Sequence, residues 1–152
     1  MICLAAASLE GLLAGRGVKK HLARLRQPPF SPPFAVWIAI GVFYYLICYV
    51  VISRVINSPE SPLWGIALAL MVILLIGNAL WNLLFFRRKN VDASTVVMLA
   101  YLAVAVIVAI LLTRIDRVSS WVFAPYLIYL VYAAWWSISV QRLNRAVGSE
   151  VG

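Results

Sequence analysis

The sequence predicts an all-α membrane protein, a single bundle of five transmembrane helices in which the first helix is short. Hydrophobic residues make up 64% of the 152 residues and charged residues only 12%, whereas soluble domains average about 45–50% and about 25%. The apolar residues fall in four blocks without Asp, Glu, Lys or Arg: 34–53, 63–86, 93–113 and 118–141. Each block has the roughly 20 residues that a helix needs to cross a bilayer, and each is too long for a barrel strand.

The first predicted helix, residues 1–15, is the least regular of the five, because Glu10 interrupts its apolar run. A secretory signal peptide carries its positive charges before the apolar stretch, and here Lys and Arg come after it. We therefore interpret the segment as a shortened transmembrane helix. Since a carboxylate at the centre of a span is costly, we expect Glu10 to be neutral, to lie near the headgroups or to pair with a basic loop residue such as Arg16.

The connection between the first two helices is basic and then rich in proline, with four prolines among the six residues 28–33. Proline fixes φ, removes a backbone donor and disfavours helix at the residue before it. The sequence therefore predicts a stiff, extended segment. A plain connection between two spans does not need this stiffness, so we predict that the segment forms a lid over the helical bundle.

The basic residues divide unequally between the two faces of a bundle with five spans. One face holds ten of the thirteen Lys and Arg residues, and the other holds three. Short loops that are rich in Lys and Arg stay in the cytoplasm, so the basic loops and the C-terminus are predicted to be cytoplasmic. The ten are Arg16, Lys19, Lys20, Arg24, Arg26, Arg87, Arg88, Lys89, Arg142 and Arg145, and the three are Arg54, Arg114 and Arg117.

The block 63–86 contains two amides, Asn78 and Asn82, which lie four residues apart and therefore on one helix face. Trp81 and Phe85 form an aromatic pair beside them. An amide in hydrocarbon needs a hydrogen-bond partner. Either the two amides bond to neighbouring helices, or they line a cavity, and the sequence leaves both interpretations open.

The block 93–113 consists almost entirely of Ala, Val, Ile and Leu. We predict that it faces lipid and packs through its small residues Ala105 and Ala109. Trp64 and Trp121 stand at the starts of the third and fifth helices. We expect both to belong to the aromatic belt at the membrane surface.

Two aromatic faces remain, one in the block 118–141 and one in the block 34–53. The first is a stripe at helical spacing. Such stripes usually serve packing, but this density of hydroxyls and indoles also suits a flat, lipophilic ligand. The stripe comprises Pro125, Tyr129, Tyr132, Trp136 and Ser139, and the block 34–53 adds Tyr44, Tyr45 and Tyr49.

The sequence lacks a Cys/His metal cluster, a Ser/His/Asp set and a phosphate-binding glycine loop. We therefore predict neither catalytic nor metal-binding residues and no covalent cofactor. Cys3 and Cys48 stand alone in apolar segments, where thiols act as small hydrophobes. The net charge of +8 lies in the loops, so topology explains it and nucleic acid is not a predicted partner. The absence of an internal repeat disfavours a transporter of two duplicated halves.

Three stretches of the chain carry motifs in a characteristic order. Residues 18–33 read VKKHLARLRQPPFSPP, residues 78–86 read NALWNLLFF, and residues 125–133 and 141–144 read PYLIYLVYA and QRLN. Together they resemble the first loop, third helix and fifth helix of the TspO/MBR family, the tryptophan-rich sensory proteins and translocator proteins. The resemblance covers nearly the whole chain from Gly15 onward.

The resemblance implies a five-helix bundle, often a homodimer, with a pocket under the first loop for porphyrins, haem, sterols or related lipophiles. Several positions depart from the family pattern, so the architecture carries over better than the identity of the ligand. Breakdown of porphyrins, attributed to some members through pocket tryptophans, is not expected here. The departures are His21-Leu22 for Trp-Tyr, Ala35 and Ala39 for Trp and Pro, Gly41 for Trp, Leu83 for Pro, Tyr129 for Trp and Ser137 for Asn.

The preferred hypothesis is a membrane sensor or transporter that binds a flat lipophilic ligand, such as a porphyrin, haem or a sterol. The amides would orient polar edges of the ligand, and the aromatic rings would stack on its faces. One alternative is a membrane enzyme that degrades tetrapyrroles, and another is a membrane scaffold without a ligand. The predicted ligand-binding residues are Phe30, Tyr45, Asn78, Trp81, Asn82, Tyr129 and Tyr132.

Overall fold

The computed structural model describes Ser8, residues 17–58 and residues 61–149. Apart from Ser8, the predicted first helix at 1–15 lies outside the described residues. The expectations for Cys3, Glu10 and Arg16 lie outside them as well.

The described part of the chain is all-helical, so the predicted fold class is confirmed. Four of its helices are long and apolar enough to cross a membrane, and they correspond to the four uncharged blocks. Pro125 lies inside the last of them. The helices are α1 (Val18–Arg24), α2 (Phe34–Ile56), α3 (Trp64–Asn82, continued by a π-helical turn at Leu83–Arg87), α4 (Val91–Ile115) and α5 (Arg117–Ser149).

The four long helices form a closed ring in which α2 packs on α3, α3 on α4, α4 on α5, and α5 back on α2. Each runs antiparallel to its neighbours, because short connections join them in sequence. The contact between α4 and α5 is the most extensive. The two ends of this ring differ in how tightly side chains fill the space between the helices.

The end of the bundle that holds the α2–α3 and α4–α5 connections is tightly packed. Ala67 and Ala105 are fully buried there, and their small side chains let the helices approach closely. The burial of Ala105 agrees with the packing role predicted for it. Other fully buried residues at this end are Val51, Val55, Met71, Val108, Leu112 and Phe123.

A charged clamp closes this packed end. The Arg54 guanidinium donates from Nε and Nη2 to the two carboxylate oxygens of Asp116, at 2.6 and 3.1 Å. Asp116 also caps α5, because its Oδ2 accepts hydrogen bonds from the backbone N and the hydroxyl of Ser119, at 3.1 and 2.6 Å. These bonds, with Arg54 the main cause, hold the pKa of the Asp116 carboxyl well below its usual range. The clamp joins α2 to the start of α5.

Helix α4 does not only face lipid, and the prediction for the block 93–113 was wrong in this respect. Thr95 Oγ1 lies 3.2 Å from the Ser137 hydroxyl of α5, and the hydroxyls of Tyr101 and Tyr126 lie 2.7 Å apart. Hydroxyls in an apolar medium need such partners. Because the opposite face of α4 is equally apolar, the pattern of hydrophobic residues does not distinguish the inner face from the outer one.

The basic part of the first loop forms the short helix α1, for which the sequence analysis predicted no helix. Gly17 precedes it with φ 113, a left-handed conformation that glycine adopts without strain. The side-chain amide of Gln27 donates to the carbonyl of Leu22 at 2.8 Å and satisfies the end of the helix. The proline-rich part that follows, residues 28–33, contains no helix, as predicted.

Candidate functional site: an aromatic cavity beneath the first loop

The end of the bundle opposite the charged clamp is hollow. A cavity of about 500 Å³ lies there between the four long helices and under α1. A volume of this size is typical of small-molecule sites. The residues that define its wall are Val18 and Leu22 of α1, Trp37, Gly41, Tyr44 and Tyr45 of α2, Asn78, Trp81, Asn82 and Phe86 of α3, Met98 and Tyr101 of α4, and Tyr126, Tyr129, Leu130, Ala133 and Trp136 of α5.

One wall of the cavity is a continuous set of aromatic rings. Trp81 stacks on Phe85 with ring centroids 4.9 Å apart and planes inclined by 7°. Trp136 lies 5.6 Å from Phe85 and 5.0 Å from Trp37, and Trp37 meets Tyr129 edge-on at 6.5 Å. Flat rings in contact at these distances hold one another in place. The wall is therefore preformed and presents several ring faces to an occupant.

The floor of the cavity is formed by tyrosines. Tyr44 and Tyr126 lie with ring centroids 4.9 Å apart, and the hydroxyl of Tyr126 is bonded to that of Tyr101. Gly77 makes room for this arrangement, because a Cβ at that position would lie 2.9 Å from Cδ2 of Tyr101. A larger residue at position 77 would push the Tyr101 ring out of place.

The two amides of α3 both line the cavity, and one of them also bonds within its own helix. Asn82 donates from Nδ2 to the backbone carbonyl of Asn78 at 3.0 Å. Trp81 stands between them, and its Nε1 is buried without a hydrogen-bond acceptor among the described residues. A buried N–H without an acceptor costs free energy. The aromatic wall therefore contains one polar group whose burial is not compensated by a hydrogen bond to the described residues.

The proline-rich part of the loop is fastened to α5. The indole Nε1 of Trp136 donates to the hydroxyl of Ser31 at 2.8 Å. The hydroxyl of Tyr132 donates to the carbonyl of Phe30 at 3.0 Å. Further along, the side chain of Asn144 exchanges two hydrogen bonds with the backbone of Arg26, at 3.1 and 3.0 Å. We call residues 18–33, fastened in this way over the cavity, the lid.

His21 attaches α1 to the end of α3. Its ring is 9% exposed, contacts Phe85 and Phe86 edge-on with centroids 5.4 and 6.4 Å away, and hydrogen-bonds to the backbone of Phe85. Its Nε2 is buried with no partner among the described residues. Burial, and secondly the charge of Lys89, lower the pKa of the imidazole. The closed lid therefore favours the neutral form of His21. The π-helical turn at Leu83–Arg87 carries these contacts, and such turns often occur at functional sites.

The structure brings together five of the seven predicted ligand-binding residues in the cavity wall. These five are Tyr45, Asn78, Trp81, Asn82 and Tyr129. The other two, Phe30 and Tyr132, are not part of the wall. The Phe30 side chain is 88% exposed, and its carbonyl accepts the bond from Tyr132, so both residues serve the lid.

Sequence reasoning missed several wall residues, among them Trp37, Gly41 and Tyr101. Trp37 had the position of a belt residue near a helix end, but it faces inward. Tyr101 is the single aromatic residue of an otherwise aliphatic helix, and that isolation was a usable signal of a specific contact. By contrast, Trp64 and Trp121 are 39% and 70% exposed at the starts of α3 and α5, as belt residues are.

Comparison with known proteins gives one family. The family model described as "TspO/MBR family" matches residues 1–143 of the chain. Among curated proteins, protein CrtK of Rhodobacter capsulatus is similar, with 25% identity over 121 residues that cover 79% of this chain and 76% of CrtK.

Proposed function

The chain belongs to the TspO/MBR family, and we propose that it binds a flat, lipophilic ligand of the porphyrin, haem or sterol class in the aromatic cavity. It is an integral membrane protein of a family whose members are generally sensors or transporters. The observation that carries the proposal is the cavity itself, a preformed space of about 500 Å³ walled by stacked aromatic rings.

The chemistry of the wall supports a ligand that is mostly apolar with a few polar groups. The rings of Trp37, Trp81 and Trp136 offer faces against which a planar molecule stacks. The side chains of Asn78 and Asn82 place two amide groups at one side of the cavity. The carboxylates at the edge of a tetrapyrrole, or the hydroxyl of a sterol, are polar groups of the kind that would lie on that side.

The lid supports the proposal in a second way. A lipophilic ligand in a bundle needs protection from water at the end where the spans stop, and α1 contributes Val18 and Leu22 to the roof of the cavity. The proline-rich part of the lid is held to α5 by a small number of hydrogen bonds, whereas α1 packs through Leu22 on Phe85 and Trp136. The hydrogen-bonded part is therefore the one suited to move when a ligand enters or leaves.

Filling the cavity from Gly41 tests the proposal. Gly41 lines the cavity, and a Cβ there would meet no atom within 4 Å, so Gly41→Leu adds a side chain to the cavity wall that begins in open space. The control is Gly65→Leu, because Gly65 is equally open but lies at the start of α3, outside the cavity wall. Both substitutions replace a helical glycine by a better helix former, so neither is expected to lower the melting temperature.

The measurement is a titration of detergent-solubilised protein with protoporphyrin IX, haem and cholesterol, read by quenching of tryptophan fluorescence and by the Soret band. We expect Gly41→Leu to weaken binding of the preferred probe at least tenfold and Gly65→Leu to leave it unchanged. Equal binding by both variants, or no saturable binding of any probe by the unaltered protein, would refute a ligand site in this cavity.

A further inference from the structure

A second cavity opens on the lid side of the bundle and shares no residue with the aromatic cavity. It has a volume of about 430 Å³ and lies between the α3–α4 turn and the last turns of α5. Its lining is polar and charged. The lining residues are Arg88, Lys89, Asn90, Val91, Asp92, Gln141, Asn144 and Arg145. We call this space the basic cleft.

The charges of the basic cleft do not cancel. Asp92 Oδ1 accepts from Arg145 Nε at 2.7 Å and from Gln141 Nε2 at 2.8 Å, so Asp92 and Arg145 neutralise each other. Arg88 and Lys89 have no carboxylate within ion-pair distance in the part of the chain that the structure describes. The cleft therefore has an excess of two positive charges.

The backbone of the turn from which these two cations project has a defined geometry. The amide N of Arg88 donates to the carbonyl of Leu83 at 2.9 Å, which closes the π-helical turn. Lys89 takes the left-handed conformation with φ 52, and Asn90 then caps α4 by accepting from the backbone N of Ala93 at 2.9 Å. A fixed turn that bears two cations, next to the positive end of a long helix, is favourable for an anion.

We propose that the basic cleft binds the phosphate group of an anionic membrane lipid. Phosphate oxygens suit a guanidinium, an ammonium and side-chain amides together. The position favours a lipid as the source of the phosphate, because the span of α3 ends at Arg87 and that of α4 begins at Val91. A cleft at this boundary lies at the level of the headgroups, where basic pockets between helices take anionic lipids.

The bound lipid would also act on the lid. Asn144 lines the cleft and holds the backbone of Arg26 in the lid. A phosphate that bridges the α3–α4 turn to the end of α5 therefore steadies the residue that fastens the lid.

The test compares two double variants with the same change of charge. Arg88→Gln/Lys89→Gln removes the unpaired cations of the cleft, and Arg114→Gln/Arg117→Gln removes two exposed cations at the other end of the bundle. Each full-length protein is placed in nanodiscs of phosphatidylcholine, with and without phosphatidylglycerol. Native mass spectrometry counts retained lipids, and a thermal melt measures the stabilisation.

We expect phosphatidylglycerol to be retained by the unaltered protein and by the Arg114→Gln/Arg117→Gln variant. Its affinity should fall roughly fivefold for each cation that is removed from the cleft. Equal retention by the two double variants would overturn the proposal, because general surface charge would then explain the binding. A third arm adds inorganic phosphate to phosphatidylcholine nanodiscs. If phosphate alone reproduces the stabilisation, the site binds a soluble anion and the assignment to a lipid is wrong.

Discussion

The hydroxyl group of Ser31 is one of the groups that hold the lid closed, and substitution of Ser31 by alanine removes it. Ser31 Oγ accepts the indole N–H of Trp136 at 2.8 Å and donates to the carbonyl of Pro28 at 2.9 Å. Trp136 is only 1% exposed, so water does not replace a lost acceptor. Ser31→Ala therefore leaves a buried N–H unpaired while the lid is closed, but not while it is open.

Because the N–H of Trp136 is unpaired only in the closed state, the cost of an unpaired donor gives the expected increase in the open population. An unpaired buried donor costs about 1–3 kcal/mol, which corresponds to an increase of about fivefold to about 150-fold in the open population of the lid. The bond from Tyr132 to Phe30 and the Asn144 pair remain in the variant, so the closed state is still formed. Ser31→Thr keeps the hydroxyl and is expected to behave like the unaltered protein.

Limited proteolysis with trypsin measures this population. Cleavage after Arg24 within the lid, identified by fragment mass, follows the open fraction when opening is fast relative to cleavage. Ser58→Ala is the control, because the Ser58 hydroxyl bonds to the carbonyl of Arg54 at the packed end. If Ser31→Ala is cut in the lid no faster than Ser58→Ala, the hydrogen bond to Trp136 does not hold the lid, and the description of the closed state fails.

Three further predictions concern the floor, the clamp and the pH response. Gly77→Ala should lower stability by about 1–3 kcal/mol, because its Cβ overlaps the Tyr101 ring; a melt against Gly65→Ala, which has open space, provides the comparison. Asp116→Ala should destabilise the protein by about 1 kcal/mol through loss of the α5 cap, and Asp116→Ser, which can still cap, should recover part of this in a chemical unfolding series. Because the pKa of His21 is lowered in the closed lid, the open lid binds more protons than the closed lid. The closed state should therefore have its full stability above about pH 6.5, the ordinary pKa of histidine, and should lose stability as the pH falls below that value. Tryptic cleavage of the lid should therefore accelerate at mildly acidic pH, and an unchanged pH profile in His21→Gln would contradict this.

The transmembrane spans were predictable from the sequence, because a helix that is surrounded by lipid must be long enough to cross it and free of charged residues. Their ends were less predictable. Helix α2 continues to Ile56, beyond the predicted end at 53, since Arg54 can remain helical while its charged group reaches Asp116. Helix α5 continues to Ser149, beyond 141, because hydropathy does not detect a helix that leaves the hydrocarbon. The spacing of Val18, Leu22 and Leu25 places them on one face of a helix at α1 and its C-cap. The sequence analysis did not use this spacing, because the basic residues between them indicated a loop.

The sequence predicted which helix faces form the candidate site, but it did not predict how far along each helix the cavity extends. The spacing of Tyr129 and Tyr132 placed both on the inner side of the fifth helix, yet one lines the cavity and the other fastens the lid. The two residues lie one turn apart along the helix. The height of the lid above the bundle determines which of them lines the cavity and which one bonds to the lid. That height depends on contacts between distant segments, such as the one between Trp136 and Ser31, which no local pattern encodes.

Trp136 connects the aromatic cavity to the lid, and the proposed ligand binding would act on the lid through this residue. Its ring lines the cavity and contacts Trp37 and Phe85, while its N–H holds Ser31 of the lid. A ligand that tilts this indole by a few tens of degrees lengthens the bond to Ser31, since hydrogen bonds weaken steeply when they are misaligned. Phe85 extends the connection to His21 and so to the second attachment of the lid. Both attachments therefore contact the same aromatic wall, so the proposed ligand, if it shifted that wall, would reach both attachments of the lid at once.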